Sequence, residues 1–98
     1  MDQKTFSIEE LSGIVRPLLP RYGLSRASLF GSYARGDADS NSDIDVLLYR
    51  GRGFRPLGVF GFAEDLRRST GKAVDAYEIS ELDEGAFREA ALSEAIEL

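Results

Sequence analysis

The sequence contains neither cysteine nor histidine in its 98 residues. Without cysteine there is no disulfide, no thiolate nucleophile and no thiolate zinc site. Without histidine the chain lacks the usual general base near neutral pH and the commonest transition-metal ligand. Serine–histidine–aspartate hydrolysis, cysteine proteolysis and zinc hydrolysis are therefore excluded. Any metal must be held by oxygen, which points to magnesium, manganese or calcium. Basic residues are also in the minority, 12 against 17 acidic, for a net charge of −5 and a pI near 4.7. General attraction to a nucleic-acid backbone needs a basic stripe, so broad nucleic-acid binding is disfavoured. No apolar run approaches the ~18–20 residues of a membrane span, and the opening MDQKTFSIEE has no signal-like apolar stretch. These absences lead us to expect a cytoplasmic protein with no membrane contact. The length fits one domain over residues 1–98, burying roughly 60–65% of the surface of its unfolded chain.

The residues that are present alternate between helical and strand periods. Ser7-Ile8-Glu9-Glu10 reads as a capping box, followed by Leu11, Val15, Leu18 and Leu19 at helical spacing. Pro17 should kink this helix, and Pro20 with Gly23 should close it. A short strand is expected at 26–30, a helical turn at 33–35 ending at Gly36, and a polar loop at 37–42. The clearest strand is 43–49, where alternation puts Asp43, Asp45, Leu47 and Tyr49 on one face and Ile44, Val46 and Leu48 on the other. A Gly- and Arg-rich connection leads to a helix at about 57–69, with Val59, Phe62, Ala63 and Leu66 toward the sheet and Gly71 ending it. A third strand is expected at 73–79. From about Asp83 the tail reads as a helix, with Phe87, Ala90, Ala91 and Ala95 on one side. The order predicts an α/β (α+β) fold on a small mixed β-sheet, with helices packed on one face and the carboxylates on the open one.

Two short motifs carry chemistry. Asp43 and Asp45, at i and i+2 of one strand, point the same way and repel unless a divalent cation or solvent intervenes. Gly31-Ser32 lies between a strand and a helical turn, where a glycine lets backbone N–H groups approach a phosphate and the hydroxyl adds a donor. Either motif alone is equally an ordinary turn or a solvated strand end. Together, with ten residues between Ser32 and Asp43, they match by chance on the order of one time in a thousand.

With their flanks, Leu29-Phe30-Gly31-Ser32-Tyr33-Ala34-Arg35-Gly36 and Ser42-Asp43-Ile44-Asp45-Val46-Leu47-Leu48, these motifs resemble the DNA polymerase β-type nucleotidyltransferase superfamily. Within it the chain is most similar to the minimal nucleotidyltransferase (MNT) domains that serve as antitoxins of HEPN/MNT pairs. The resemblance implies the nucleotidyltransferase fold and a third carboxylate on a neighbouring strand, matched by Asp75 in Lys72-Ala-Val-Asp-Ala-Tyr-Glu78. It further implies that Asp43, Asp45 and Asp75 hold two magnesium ions, that Gly31 and Ser32 seat the triphosphate of ATP, and that pyrophosphate leaves. Arg35 either neutralises phosphate or pairs locally with Asp37 or Asp39.

The implied partner is a HEPN-domain toxin, with AMP passing from ATP to a toxin tyrosine, and the acidic charge suits a protein acceptor. Two further readings stay open: a non-catalytic module that occludes a HEPN partner, and a nucleotidyltransferase for an aminoglycoside-like alcohol, its pocket completed by a second copy. The partner readings leave room for a homo- or hetero-oligomer. The Arg50–Arg55 stretch reads as a mobile, solvated connector or as a contact for phosphates, RNA or an acidic partner. Leu92 and Ile96, outside the stripe of the last helix, suggest a docking surface or a frayed end.

Overall fold

A computed structural model describes residues 4–98. The chain enters through α1 (Ile8–Val15), whose Ser7 hydroxyl accepts from the Glu10 amide while the Glu10 carboxylate accepts from the Ser7 amide, the expected reciprocal cap. Pro17 does not end the run outright. The helix tightens into 3-10 turns at Arg16–Leu18 and Pro20–Tyr22 and stops at Gly23. Four strands follow at intervals: β1 (Leu24–Phe30), β2 (Ile44–Arg50), β3 (Val74–Glu78) and a two-residue β4 (Ile96–Glu97). The sheet order is β3-β2-β1-β4, with β2 and β3 parallel and the other neighbours antiparallel. Short α2 (Gly31–Arg35) links β1 to the polar loop, α3 (Gly58–Thr70) crosses between β2 and β3, and α4 (Ala86–Glu94) precedes β4. Among the described residues no helix is long and apolar enough to cross a membrane.

The alternation of β2 divides the sheet as its sequence demands. Ile44, Val46 and Leu48 are fully buried with Leu29, against Leu11 and Val15 of α1 and Phe62 and Leu66 of α3. Leu47 points the other way and joins Phe30 and Ala91 in a second cluster. The mixed sheet is therefore the one expected, with α1 and α3 on one face. The opposite face is only partly open, because α4 lies across part of it, its Phe87 ring edge-on to Phe30 and Tyr77 at 5.9 and 5.4 Å between centroids.

The tail departs from the helical expectation. Its helix starts at Ala86 and ends at Glu94, and Ile96 pairs with Leu29 as the outer strand, with the Leu98 amide donating to Ala27 at 2.9 Å. Ile96 thus belongs to the sheet and offers no docking surface on a helix. Ala90 is exposed, so the stripe expected of the last helix is narrower than its composition suggests.

The connection after β2 is also more tightly held than a mobile linker. Arg50 belongs to β2, its guanidinium on the buried Glu78 carboxylate at 2.9 Å and over the Phe54 ring at 4.9 Å. The Gly51 amide donates to Gly23 at 2.8 Å. Burial pushes the Glu78 carboxyl up, but the hydrogen bonds from Ser80 and Arg50 outweigh it and hold it below the ordinary range.

Candidate active site

Three chain segments meet where β1 ends and β2 and β3 begin. In β-sheet register, Asp45 faces Phe30 on one side and Asp75 on the other, so the two aspartates are neighbours on adjacent parallel strands. Strands stand about 4.8 Å apart, which brings side chains of one face into contact. Asp45 is half-buried and its carboxyl is pushed up to about 6. Burial is the largest cause, followed by the charge of Asp75 and a hydrogen bond with it, then the charge of Asp43; Arg35 offsets only part. Burial beside another carboxylate without a countercharge disfavours the ionised form of Asp45.

Gly31 opens α2 against the Asp45 carboxylate. Its φ of +72° is one an L side chain rarely adopts, and a Cβ built there would overlap Asp45 Oδ2 and lie 3.2 Å from Asp45 Cγ. The residue is glycine for two reasons at once: the backbone angle, and the close approach of the carboxylate beneath. α2 then runs from Gly31 to Arg35, including both residues of the Gly-Ser motif in the helix.

The predicted site residues are therefore assembled unevenly. Gly31, Asp45 and Asp75 are brought together, and Ser32 sits beside Gly31 in the first turn of α2. Asp43 precedes β2, is exposed, and acts on Asp45 through its charge. Among the described residues no three acidic side chains converge tightly enough to form a ready metal-binding group. The donor set nevertheless fits a hard divalent cation: it is all carboxylate, and burial with the charges of Asp75 and Asp43 raises the Asp45 carboxyl, a cost that a cation there would relieve. Arg35 pairs with Asp37 at 3.4 Å, one of the two local partners the sequence offered, and more closely with Glu94 at 3.0 Å. Asp39 instead accepts from the Asn41 amide at 2.8 Å within its own loop.

Two contributors escaped sequence reasoning. Glu94, the last residue of α4, accepts from the Gly31 amide at 3.1 Å and from Arg35 at 3.0 Å. Lys72, buried just before β3, donates from Nζ to the Ser40 carbonyl and ties the 37–42 loop to the start of the strand that carries Asp75. No local signal marks Glu94, which lies 59 residues from Arg35. For Lys72 the signal was a lysine set between a helix-ending glycine and the start of a strand, where its charge needs a partner once buried.

The sequence pattern that defines the nucleotidyltransferase domain matches residues 8–98, and the chain belongs to that family. A Methanocaldococcus jannaschii protein named as a candidate protein adenylyltransferase is 39% identical over 69 residues, 70% of this chain and 74% of its own length. A solved structure described as a candidate minimal nucleotidyltransferase superposes with a TM-score of 0.75 at 32% identity, over 97% of this chain and 99% of that one. The fold is shared more distantly with a chain from the complex of a tri-AMPylated Shewanella oneidensis HEPN toxin with its MNT antitoxin. That match has a TM-score of 0.63 and 17% identity, and covers 91% of this chain and 66% of that one. The family resemblance read from Gly31-Ser32 and Asp43-x-Asp45 holds, as does the fold it implied.

Proposed function

We propose that this chain is a magnesium-dependent protein adenylyltransferase that moves AMP from ATP to a tyrosine hydroxyl of a HEPN-type toxin and thereby acts as its antitoxin. The observation that carries this reading is the Asp45–Asp75 pair, with Gly31 packed on Asp45 and its backbone N–H already holding an anionic oxygen, that of Glu94. The names of the relatives supply the acceptor class: a protein adenylyltransferase among the sequence relatives and an AMP-bearing HEPN toxin among the structural ones.

Asp45 and Asp75 would hold the metal, joined by Asp43 once its exposed side chain turns inward. Magnesium bound there supplies positive charge to the phosphoryl oxygens and acidifies an acceptor hydroxyl. Gly31, Ser32 and Arg35 bind and orient the triphosphate through one backbone amide, one hydroxyl and one guanidinium. Asp75, exposed on the outer strand, is reachable by a protein side chain and takes the proton of the incoming hydroxyl. The new bond joins the acceptor oxygen to the α-phosphorus, the bond from that phosphorus to the bridging oxygen breaks, and pyrophosphate departs with the electron pair.

The test is transfer of label from ATP carrying a radioactive α-phosphate into a lysate of the source cell, with wild type and Asp45→Asn in parallel. A labelled protein band with wild type alone, carrying AMP on tyrosine by mass spectrometry, is the expected result. Silence with ATP, GTP and CTP alike, while the chain still neutralises its partner, would replace transfer by occlusion.

A further inference from the structure

Glu94 is an anion already seated where the proposed function puts the nucleotide's phosphates. Its Oε1 accepts from the Gly31 amide at 3.1 Å and its Oε2 from Arg35 Nη1 at 3.0 Å, so one carboxylate engages both a backbone and a guanidinium donor. The side chain is only 29% exposed. The Arg35 hydrogen bond, then that from Gly31, holds its carboxyl below the usual range, so it is charged at neutral pH. A carboxylate with two oxygens on an amide and a guanidinium offers the same contacts as two oxygens of a phosphate.

We propose that Glu94 is an internal competitor for the phosphate seat, closing it in the nucleotide-free protein and giving it up when a triphosphate arrives. This rests on the reading of Gly31 and Arg35 as phosphate donors. The two anions cannot share the donors: the Gly31 amide has one hydrogen, and a second negative group beside Glu94 meets repulsion. The device reaches beyond one side chain. Glu94 ends α4, and two residues later the chain enters β4. The cluster beneath α4 is small, with Phe30, Leu47 and Ala91 at its buried centre. Withdrawal of Glu94 removes a polar anchor of α4, so arrival of the nucleotide loosens the helix that covers part of the carboxylate face.

The experiment measures ATP binding in magnesium buffer by calorimetry for wild type, Glu94→Gln and Glu94→Ala, with thermal melts to confirm folding. Loss of a charged competitor should tighten ATP about five- to tenfold in Glu94→Ala. Glu94→Gln, which keeps an acceptor but loses the charge, should fall between. Amide exchange over 86–97 in wild type should accelerate when ATP is added. If wild type binds ATP and Glu94→Ala binds it equally or more weakly, the competitor role is overturned and the site reading stands. If neither protein binds ATP, the phosphate seat itself is wrong and the competitor role falls with it.

Discussion

In magnesium buffer, Asp45→Asn is expected to cut nucleotidyl transfer at least about a hundredfold, while in chelator the same change raises the melting temperature at pH 7.5. The loss follows, on the proposed reading, from removing a charged oxygen that the metal would need, in a site where electrostatic stabilisation of the reacting phosphate would be the main resource. The gain follows from the carboxylate's folded environment. Its pKa rises from 3.8 to about 6, chiefly through burial and then through Asp75. A carboxyl with a raised folded pKa holds its proton more tightly when folded. Its favourable balance is complete below pH 3.8 and is lost as pH rises through about 6. At pH 7.5 the wild type carries the full penalty of an unneutralised charge, which asparagine lacks. Melts of both proteins in EDTA at pH 4.5 and 7.5 should show the gap between them widening with pH. Comparing the two cancels the opposite pull of Glu78 and Glu94, whose lowered pKa values favour the folded state at higher pH. An asparagine variant that keeps transferring label would remove the metal from Asp45, and one no more stable at pH 7.5 would remove the strain.

Gly31→Ala should damage fold and activity together. The backbone angle alone costs about 1–2 kcal/mol for a residue with a Cβ, and for a chain of this size each kcal/mol lowers the melting temperature by about 4–8 °C. The added carbon also overlaps Asp45 Oδ2. Relief requires either Asp45 to turn away or the Gly31 amide to shift, and both undo the proposed pairing of metal and phosphate. Transfer should therefore fall at least about tenfold even at temperatures where the variant is folded. Adding Asp45→Ala to Gly31→Ala should return part of the lost melting temperature, since the overlap disappears and only the angular strain stays. A double variant no more stable than additivity allows would show that the two positions do not press on each other. A Gly31→Ala protein with normal melting and normal transfer would deny the close approach outright.

Much of this arrangement is legible in the sequence because it is written in local chemistry. The alternation from Asp43 to Tyr49 fixes which side chains of β2 enter the main core, and Ser7 with Glu10 marks the first helix by a cap that needs only four residues. Gly71 and Gly36 end helices where expected. The failures are places where distant chain decides. Ile96 and Glu97 continue a helical-looking run, and only pairing with Ser28 and Leu29 makes them a strand. Arg50 reads as loop until Glu78, 28 residues on, gives its guanidinium a buried partner. At the site, the residue types around Gly31 and Asp45 were readable, but the steric reason for glycine was not, since it is a contact between the start of α2 and β2. Glu94 carried no sequence signal, because an anion's value there depends on which donors the fold brings to it.

The tether from Lys72 to Ser40 gives the protein a built-in chemical clock. The sequence has only two lysines, Lys4 and Lys72. The side chain of Lys4 is 55% exposed, whereas Lys72 as a whole is 6% exposed. An amine-acylating reagent therefore marks Lys4 on first encounter. It should mark Lys72 only in molecules whose Nζ has left the Ser40 carbonyl, by lifting of the 37–42 segment or by unfolding of the chain, and a melt under the same conditions separates the two. Modification at Lys72, counted against Lys4 in the same digest, times the opening of the loop that leads into Asp43, with no dye or isotope introduced into the chain.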